Sequence, residues 1–389
     1  MRTIYLDNNA TTRVDPLVID EMLPYLGELY GNPSSMHYFG GQVQKEVDEA
    51  RSRVARLLGA LPEEIIFTSC GTESDNTAIR SALDVFPERR HIITSRVEHP
   101  AILTLCRNLV KKGYRVTELL VDSAGRLDLD QLRRVIDDDT AIVSLMWANN
   151  ETGVIFPVEE AAQIARDHGA LFHTDAVQAV GKIPIDMSIS SIDMLSISGH
   201  KLHAPKGVGV LYCRKGTSFR PFLVGGHQEK GRRAGTEATS SIIAMGKAAE
   251  LALEWMEYEN GKVKEMRDRL EQELLARIPA SRVNGAGAER LPNTLSIAFE
   301  YVEGEAILLL LSEKGICASS GSACTSGSLE PSHVLRAMGV PFTCAHGSIR
   351  FSLSRYTTDE EIDTVIRELP PIIQRLRDIS PFGREILRR

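Results

Sequence analysis

No uninterrupted apolar stretch in the 389 residues exceeds six, Ala306–Leu311, whereas a membrane-spanning helix needs about 20. The opening MRTIYLDNNATT has neither an apolar core nor a cleavage pattern, so no secretory signal and no membrane association are expected and the chain reads as cytoplasmic. Positive charge is in the minority, 45 Lys and Arg against 52 Asp and Glu for a formal net charge of −7. With no basic block, charge-driven binding to nucleic acid is not expected. Cysteine is scarce. Six cysteines, Cys70, Cys106, Cys213, Cys317, Cys324 and Cys344, are too few for a disulfide scaffold. None forms a C-x-x-C pair, which removes the zinc and thioredoxin-like spacings. Five of them are expected to be small buried hydrophobes. No internal repeat is present, and the only low-complexity candidate is the small-residue stretch 318–328.

What remains is the composition of an ordinary globular protein, 43% hydrophobic and 25% charged, with length for two or three domains. Short β-rich runs at Glu64–Thr68, His91–Ser95, Ala141–Trp147, Leu171–Asp175, Met194–Ser198 and Val208–Cys213 alternate with helical segments. That pattern predicts an α/β fold with a mainly parallel sheet covered on both faces. Val43, Val47, Ala50, Val54, Leu57 and Leu58 fall on one helical face, and Gly59 stands where a C-cap belongs. After about Thr239 a long charged helical stretch runs to about Ile278. It is followed by strands near 293–299 and 348–353, a helix over 305–313 and a C-terminal helix from about Thr358. A smaller α+β domain is therefore expected after the large one, with Pro370-Pro371 kinking or ending the last helix. His37, His91 and His168 read as surface or turn residues, and His173 shares a strand face with Asp175.

In parallel α/β sheets ligands bind at the carboxyl ends of strands, and polar residues gather there. Asp175 ends one strand, Ser198-Gly199-His200-Lys201 follows another, and TSCGTESDN opens a helix whose N–H groups and Thr72 face outward for an anion. Each signal has an ordinary explanation: a capping Asp, a solvated Lys, a capping Ser or Thr. Together a phosphate cradle, a carboxylate, a lysine and a histidine are the parts that hold pyridoxal phosphate.

The motifs YLDNNATT, GNPSS, TSCGTESDN, EHPA, MWANNETG, HTDAVQAVGK, SGHKLHAPKGVG, GRRAGTE and SSGSACTSGSLEPSHVLRAM carry a resemblance. From Tyr5 to about Pro381 the chain resembles cysteine desulfurases of the NifS/IscS family, and most of all the nitrogenase-associated NifS type. The resemblance implies a fold-type-I, class V aminotransferase-like enzyme that uses pyridoxal 5'-phosphate to convert L-cysteine to L-alanine. The sulfur stays as a persulfide on Cys324. The implied domains are 13–260, binding the cofactor, and 1–12 with 261–389, carrying the cysteine loop.

Matched residue by residue, Lys201 is the cofactor lysine, with Lys206 as an unmatched rival, and Asp175 is the partner of the pyridine nitrogen. Gln178 matches the residue bonded to the phenolic oxygen, and His99 the stacking, proton-transferring histidine. Gly71, Thr72, Ser198, Gly199 and His200 match the phosphate surroundings. Thr236 matches a phosphate ligand given by a partner subunit, which implies a homodimer. Asn150 and Arg350 match the anchors of the substrate carboxylate, Asn150 also lying against the cofactor. An iron–sulfur scaffold protein is the implied sulfur acceptor, serving nitrogen fixation. No resident metal is implied, with Cys324 a candidate transient iron–sulfur ligand. Cys324 also stands out by itself, because Ser, Gly, Ala and Thr flank it on both sides and nothing large would bury it, as suits an accessible thiolate. Cys317, among apolar neighbours, fits a buried residue better. The alternatives are a selenocysteine lyase, another class V aminotransferase-like enzyme, a housekeeping iron–sulfur desulfurase and a sulfur-relay scaffold without cofactor chemistry.

Overall fold

The computed structural model describes residues 3–320 and 331–380; Cys324 lies outside the described residues. Three sheets are built from thirteen strands among these residues. The largest has seven strands in the order β2-β8-β7-β6-β5-β3-β4. These are β2 (Ile65–Thr68), β3 (His91–Ser95), β4 (Arg115–Leu119), β5 (Thr140–Met146), β6 (Leu171–Asp175), β7 (Met194–Ser198) and β8 (Gly209–Cys213). Strands β4, β3, β5, β6 and β7 run parallel. Strand β8 is antiparallel to both its neighbours, β7 and β2, so the sheet is mixed at one edge. The six expected strands all form, and β4 is an addition. One of its five positions is exposed, three are half-buried and one is buried, so it lacks the continuous apolar run by which the central strands reveal themselves.

The helix Tyr38–Leu58 buries Val43, Val47, Ala50, Val54, Leu57 and Leu58. Gly59 caps it with φ 62°, the left-handed conformation that a helix stop favours. This helix packs against the helix Thr239–Glu254, and Gly246 is the point of closest approach. A Cβ there would lie 2.5 Å from Ala50 Cα and 2.6 Å from Ala50 Cβ.

The second sheet, in the order β12-β13-β10-β9, is antiparallel and comprises β9 (Ser281–Val283), β10 (Thr294–Phe299), β12 (Ser319–Ser320) and β13 (Ser348–Ser352). A two-stranded parallel pair joins β1 (Ile4–Tyr5) to β11 (Ile316–Cys317). One apolar core draws Ile4 and Leu6 together with residues from Val263 to Ile373. The core around the large sheet also takes in Val334, Leu335 and Met338 from the later part of the chain.

Three expectations are corrected. The stretch after Thr239 is not one regular helix. A π-helical turn at Glu259–Val263 separates shorter helical pieces from the helix Lys264–Arg277. Pro370-Pro371 does not end the last helix, which runs from Asp359 to Ile379. Ile362, Val365, Ile366, Leu369, Ile372 and Ile373 continue one buried stripe across the prolines, and that packing outweighs the lost backbone bonds. His91 is fully buried, its ring between the hydroxyls of Thr140 and Thr117, each at 2.8 Å. No helix among the described residues is long and apolar enough to cross a membrane.

The contact at Gly246 yields a prediction. Alanine has better helix propensity by about 1 kcal/mol, yet its methyl would press on Ala50 backbone, and overpacking against backbone costs roughly 1–3 kcal/mol. Gly246→Ala is expected to be net destabilising. A denaturant titration showing equal or greater stability would contradict this packing.

Candidate active site

The carboxyl ends of β5, β6 and β7 are in register, Met146 opposite Asp175 and Asp175 opposite Ser196. The residues that leave these ends therefore meet at one edge. Asp175 is the last residue of β6 and is buried, with Oδ1 accepting from Val177 N at 2.9 Å. Burial pushes its carboxyl up, against the pull of that N–H, His99 and Lys201. Gln178 follows on the next turn. Its Nε2 donates to the Asn9 carbonyl at 3.0 Å, while Oε1 is buried with no protein partner.

Lys201 ends the short 3-10 turn Gly199–Lys201 directly after β7. Its Nζ donates to the Asn9 carbonyl and, at 2.7 Å, to the Ala10 carbonyl. A neutral amine has two N–H groups, and two carbonyls receive them. The amine is pulled down to about 8, first by burial, then by Arg350 and Lys182, with Asp7 and Asp175 opposing. His200 Nδ1 meets Thr11 Oγ1 at 3.1 Å, and burial with the charges of Lys201 and Lys206 takes the ring to about 4. Lys206 itself is exposed.

His99 caps the helix Pro100–Val110, its Nδ1 accepting from Ala101 N at 3.2 Å. Nδ1 is then the bare nitrogen of the neutral ring, and Nε2 carries the proton. Burial lowers its affinity for a second proton, Asp175 opposes, and Lys201 and His333 add to the lowering. Beneath it Glu98 is fully buried, accepting from Ser95 Oγ at 2.6 Å, and its carboxyl is raised to about 8 by burial.

Gly71 opens the helix Gly71–Val85, and a Cβ on it would come 2.9 Å from Val177 Cγ2 and 3.4 Å from Ser198 Cβ. Only a glycine lets that helix start lie so close to both strand ends. Its first-turn N–H groups have no partner inside the helix. Glu73, in the same turn, accepts from Ser69 N at 2.8 Å and Arg233 Nε at 2.8 Å, which neutralises the one carboxylate there.

Arg350 is buried on β13. Its Nη2 pairs with Asp7 Oδ1 at 2.8 Å and its Nη1 donates to the Asn150 carbonyl at 2.9 Å, while Nε has no protein partner. Lys201, Asp175, His99, Gln178, Gly71, Ser198, Gly199, His200, Asn150 and Arg350 thus converge. Thr72 begins the same helix on its exposed side, and Thr236 is exposed on the loop before the helix Thr239–Glu254. Nothing among the described residues ties Thr236 to the others. Of the cysteines expected to be buried, Cys106, Cys213 and Cys344 are, whereas Cys70 and Cys317 are half-buried. Cys70 caps the helix at Gly71, which places it at the site rather than in a core.

The N-terminal segment carries roles at the site that its sequence motif does not disclose. Asn9 Nδ2 donates to Thr294 Oγ1 at 2.9 Å and to the Asn150 carbonyl at 3.2 Å, and its Oδ1 accepts from Asn293 Nδ2 at 3.1 Å. Its carbonyl receives Lys201 and Gln178. The signal was available: an Asn-Asn pair with Thr-Thr after a short strand has too many polar groups for an ordinary exposed terminus.

The family model described as Aminotransferase class-V matches residues 4–365. The chain is 63% identical over 383 residues to "Cysteine desulfurase NifS" of Azotobacter vinelandii, covering 98% of this chain and 95% of that protein. It is 63% identical over 382 residues to "Cysteine desulfurase" of Nostoc sp., covering 98% and 96%. A solved structure titled "NIFS-LIKE PROTEIN" superposes with a TM-score of 0.90 at 40% identity, covering 96% of this chain and all of that one.

Asn9 is a sharp test of this geometry. Asn9→Ala removes one bond each from the Asn293 amide, the Thr294 hydroxyl and the Asn150 carbonyl, which keep the Leu353 carbonyl, Asn293 Oδ1 and Arg350 Nη1 as partners. A typical hydrogen bond contributes roughly 0.5–1.5 kcal/mol, so the three lost together are expected to lower stability by about 2 kcal/mol in denaturant unfolding. A change below about 0.5 kcal/mol would show that the hub carries no weight.

Proposed function

The chain belongs to the class-V aminotransferase family and is a cysteine desulfurase, and from that premise we propose that Lys201, Asp175, His99 and Arg350 are its working residues and pyridoxal 5'-phosphate its cofactor. The observation that carries this reading is Lys201: a half-buried amine pulled down to about 8, beside a buried carboxylate that lacks a full cationic partner.

Enzymes of this family depend on pyridoxal phosphate, and the residues here fit that group. Asp175 is a buried carboxylate lifted by desolvation, a state relieved by a cation such as a protonated pyridine nitrogen. Gln178 Oε1 has a lone pair to offer a phenolic O–H. The glycine-opened helix start, with Thr72, Ser198 and His200 beside it, suits a phosphate, and Thr236 would add to that cradle from a partner subunit in a homodimer. When bound, the cofactor supplies an electron sink for bonds at the substrate's Cα.

The chain's own residues do the rest. Arg350, with a buried Nε free of protein partners, and Asn150 hold the cysteine carboxylate, a pairing suited to the planar guanidinium. Lys201, neutral in a useful fraction near pH 8, takes the Cα proton. His99 holds a proton at Nε2 for exchange with the substrate. The Cys324 thiolate attacks the substrate sulfur: an S–S bond forms, the C–S bond breaks, and the proton shed by the Cys324 thiol ends on the β-carbon of alanine. L-Cysteine and the Cys324 thiol thus become L-alanine and the Cys324 persulfide, with no outside oxidant. The persulfide is then passed to an iron–sulfur scaffold protein, in the role of sulfur supply for nitrogenase clusters.

We read the chain as a larger part, 13–260, and a smaller one, 1–12 with 261–389. The apolar core that unites Ile4 and Leu6 with residues from Val263 onward supports this division.

Two substitutions separate the roles. Lys201→Ala is expected to lose the visible absorption of bound cofactor and essentially all alanine formation, since removing an essential catalytic group costs 10³-fold or more. Cys324→Ala is expected to keep the absorption but yield no persulfide by intact-mass analysis after cysteine is added. Full turnover by the Lys201 variant, or persulfide on the chain of the Cys324 variant, would overturn the respective assignment.

A further inference from the structure

The loop that leads to Thr236 is strained at one point. From Phe222 to Gly231 the chain is exposed except at Gln228, which is half-buried, and Glu229, which is buried. Glu229 (φ 47°, ψ 35°) and Lys230 (φ 57°, ψ 34°) are consecutive non-glycine residues in the left-handed region, where a Cβ crowds the following carbonyl. Such a pair persists only where its surroundings fix it.

The surroundings here are an edge of the large sheet. Strand β2 is outermost, and side chains meet its outward main-chain groups. Phe67 N donates to Glu229 Oε2 at 3.2 Å. The Ile65 carbonyl accepts from Arg51 Nη1 at 2.8 Å and from Arg232 Nη2 at 3.2 Å. Arg51 completes the set with a two-point pair to Glu229, Nη1 to Oε2 at 2.7 Å and Nη2 to Oε1 at 2.8 Å. Its guanidinium also lies over the Phe67 ring, 4.8 Å from the centroid. A bidentate pair of this kind fixes orientation as well as distance.

Three contacts carry that fix towards Thr236. Gln228 Oε1 accepts from Gly235 N at 3.2 Å, and Ala234 N donates to the Leu223 carbonyl at 3.1 Å. Arg233 pairs with Glu73, Nε to Oε1 at 2.8 Å and Nη2 to Oε2 at 3.1 Å. Strand β2 runs on through Ser69 and Cys70 into the helix Gly71–Val85, whose first turn holds Glu73. The loop is thus fastened both to the strand that enters the phosphate cradle and to the first turn of the cradle helix. Thr236 follows directly after the tied Gly235.

We propose that Glu229, clamped by Arg51, is a positioning residue for Thr236, holding its hydroxyl ready for the cofactor phosphate of a partner subunit. A hydroxyl on a free loop would have to be ordered at the moment of binding, which weakens affinity; a loop already held avoids that cost. The inference rests on the reading of Thr236 as a phosphate ligand across a homodimer.

The test measures equilibrium binding of pyridoxal 5'-phosphate, and of pyridoxal without the phosphate, to the full chain stripped of cofactor. Thr236→Val is expected to weaken pyridoxal phosphate about tenfold, the value of one hydrogen bond to a charged group. Glu229→Gln is expected to weaken it by roughly three- to tenfold, and the double variant no more than Thr236→Val alone. Pyridoxal binding stays within about twofold in all three. Wild-type affinity in Glu229→Gln overturns the proposal, as does an equal loss for both ligands. So does a double variant in which the two losses multiply, since the effect would then run through the chain's own cradle. A fall of Glu229→Gln to monomer mass in sedimentation would assign the clamp to assembly and overturn it too. Where Glu229→Gln fails to fold, Arg51→Lys, which leaves Glu229 a cationic partner, enters the same comparison with a smaller loss of the same kind. If Thr236→Val alone binds both ligands as the wild type does, the reading of Thr236 itself fails, a result separate from the behaviour of Glu229→Gln.

Discussion

A lysine ammonium is costly to withdraw from water, and the site is organised around one that is half-buried. Lys201 falls from the 10.5 of a free lysine to about 8, roughly 3 kcal/mol against its charged form. That bias comes from desolvation and from cations fixed on other elements, Arg350 on β13 and Lys182 after β6. It survives only while those elements hold their places. The carbonyls of Asn9 and Ala10 give the neutral amine a settled orientation, which an ammonium, with a third donor, would leave incomplete.

The N-terminal segment is therefore more than a tether. It enters as β1 beside β11, contributes Leu6 to the core of the second sheet, then passes Asp7 to Arg350 and Asn9 to Lys201, Gln178, Asn150 and Thr294. Residues from both sheets converge on it, so the geometry of the anchor for a substrate carboxylate and that of the reactive amine are set by the same few residues. Any displacement between the sheets would reach Arg350 and Lys201 together.

Much of this was legible in the sequence. The central strands announce themselves as continuous apolar runs because both their faces are covered, and the Tyr38–Leu58 helix does so through its buried stripe. Strand-end position marked Asp175 and Lys201 as candidates, and the resemblance of EHPA to a family motif added His99. Strand β4 was missed because an edge strand needs no apolar run. The prolines at 370 and 371 misled because local propensity lost to a long buried stripe. His91 looked like a turn residue, since sequence does not reveal that Thr140 and Thr117 flank its ring. Lys182 passed unremarked, because nothing in HTDAVQAVGK says that it lines one small cavity with Lys201 and Glu259.

The sequence by itself determined the strand and helix sequence of the large sheet, the family and its chemistry, and the singling out of Cys324, whose small-residue neighbours are a local property. Only the tertiary structure decided the proton affinities: which lysines are pulled down, why Asp175 wants a cation, and which carboxylates are paired. Periodicity and motif depend on neighbours along the chain. A proton's affinity depends on burial and on charges a few ångströms away in space, and those are brought together from distant positions only when the chain folds.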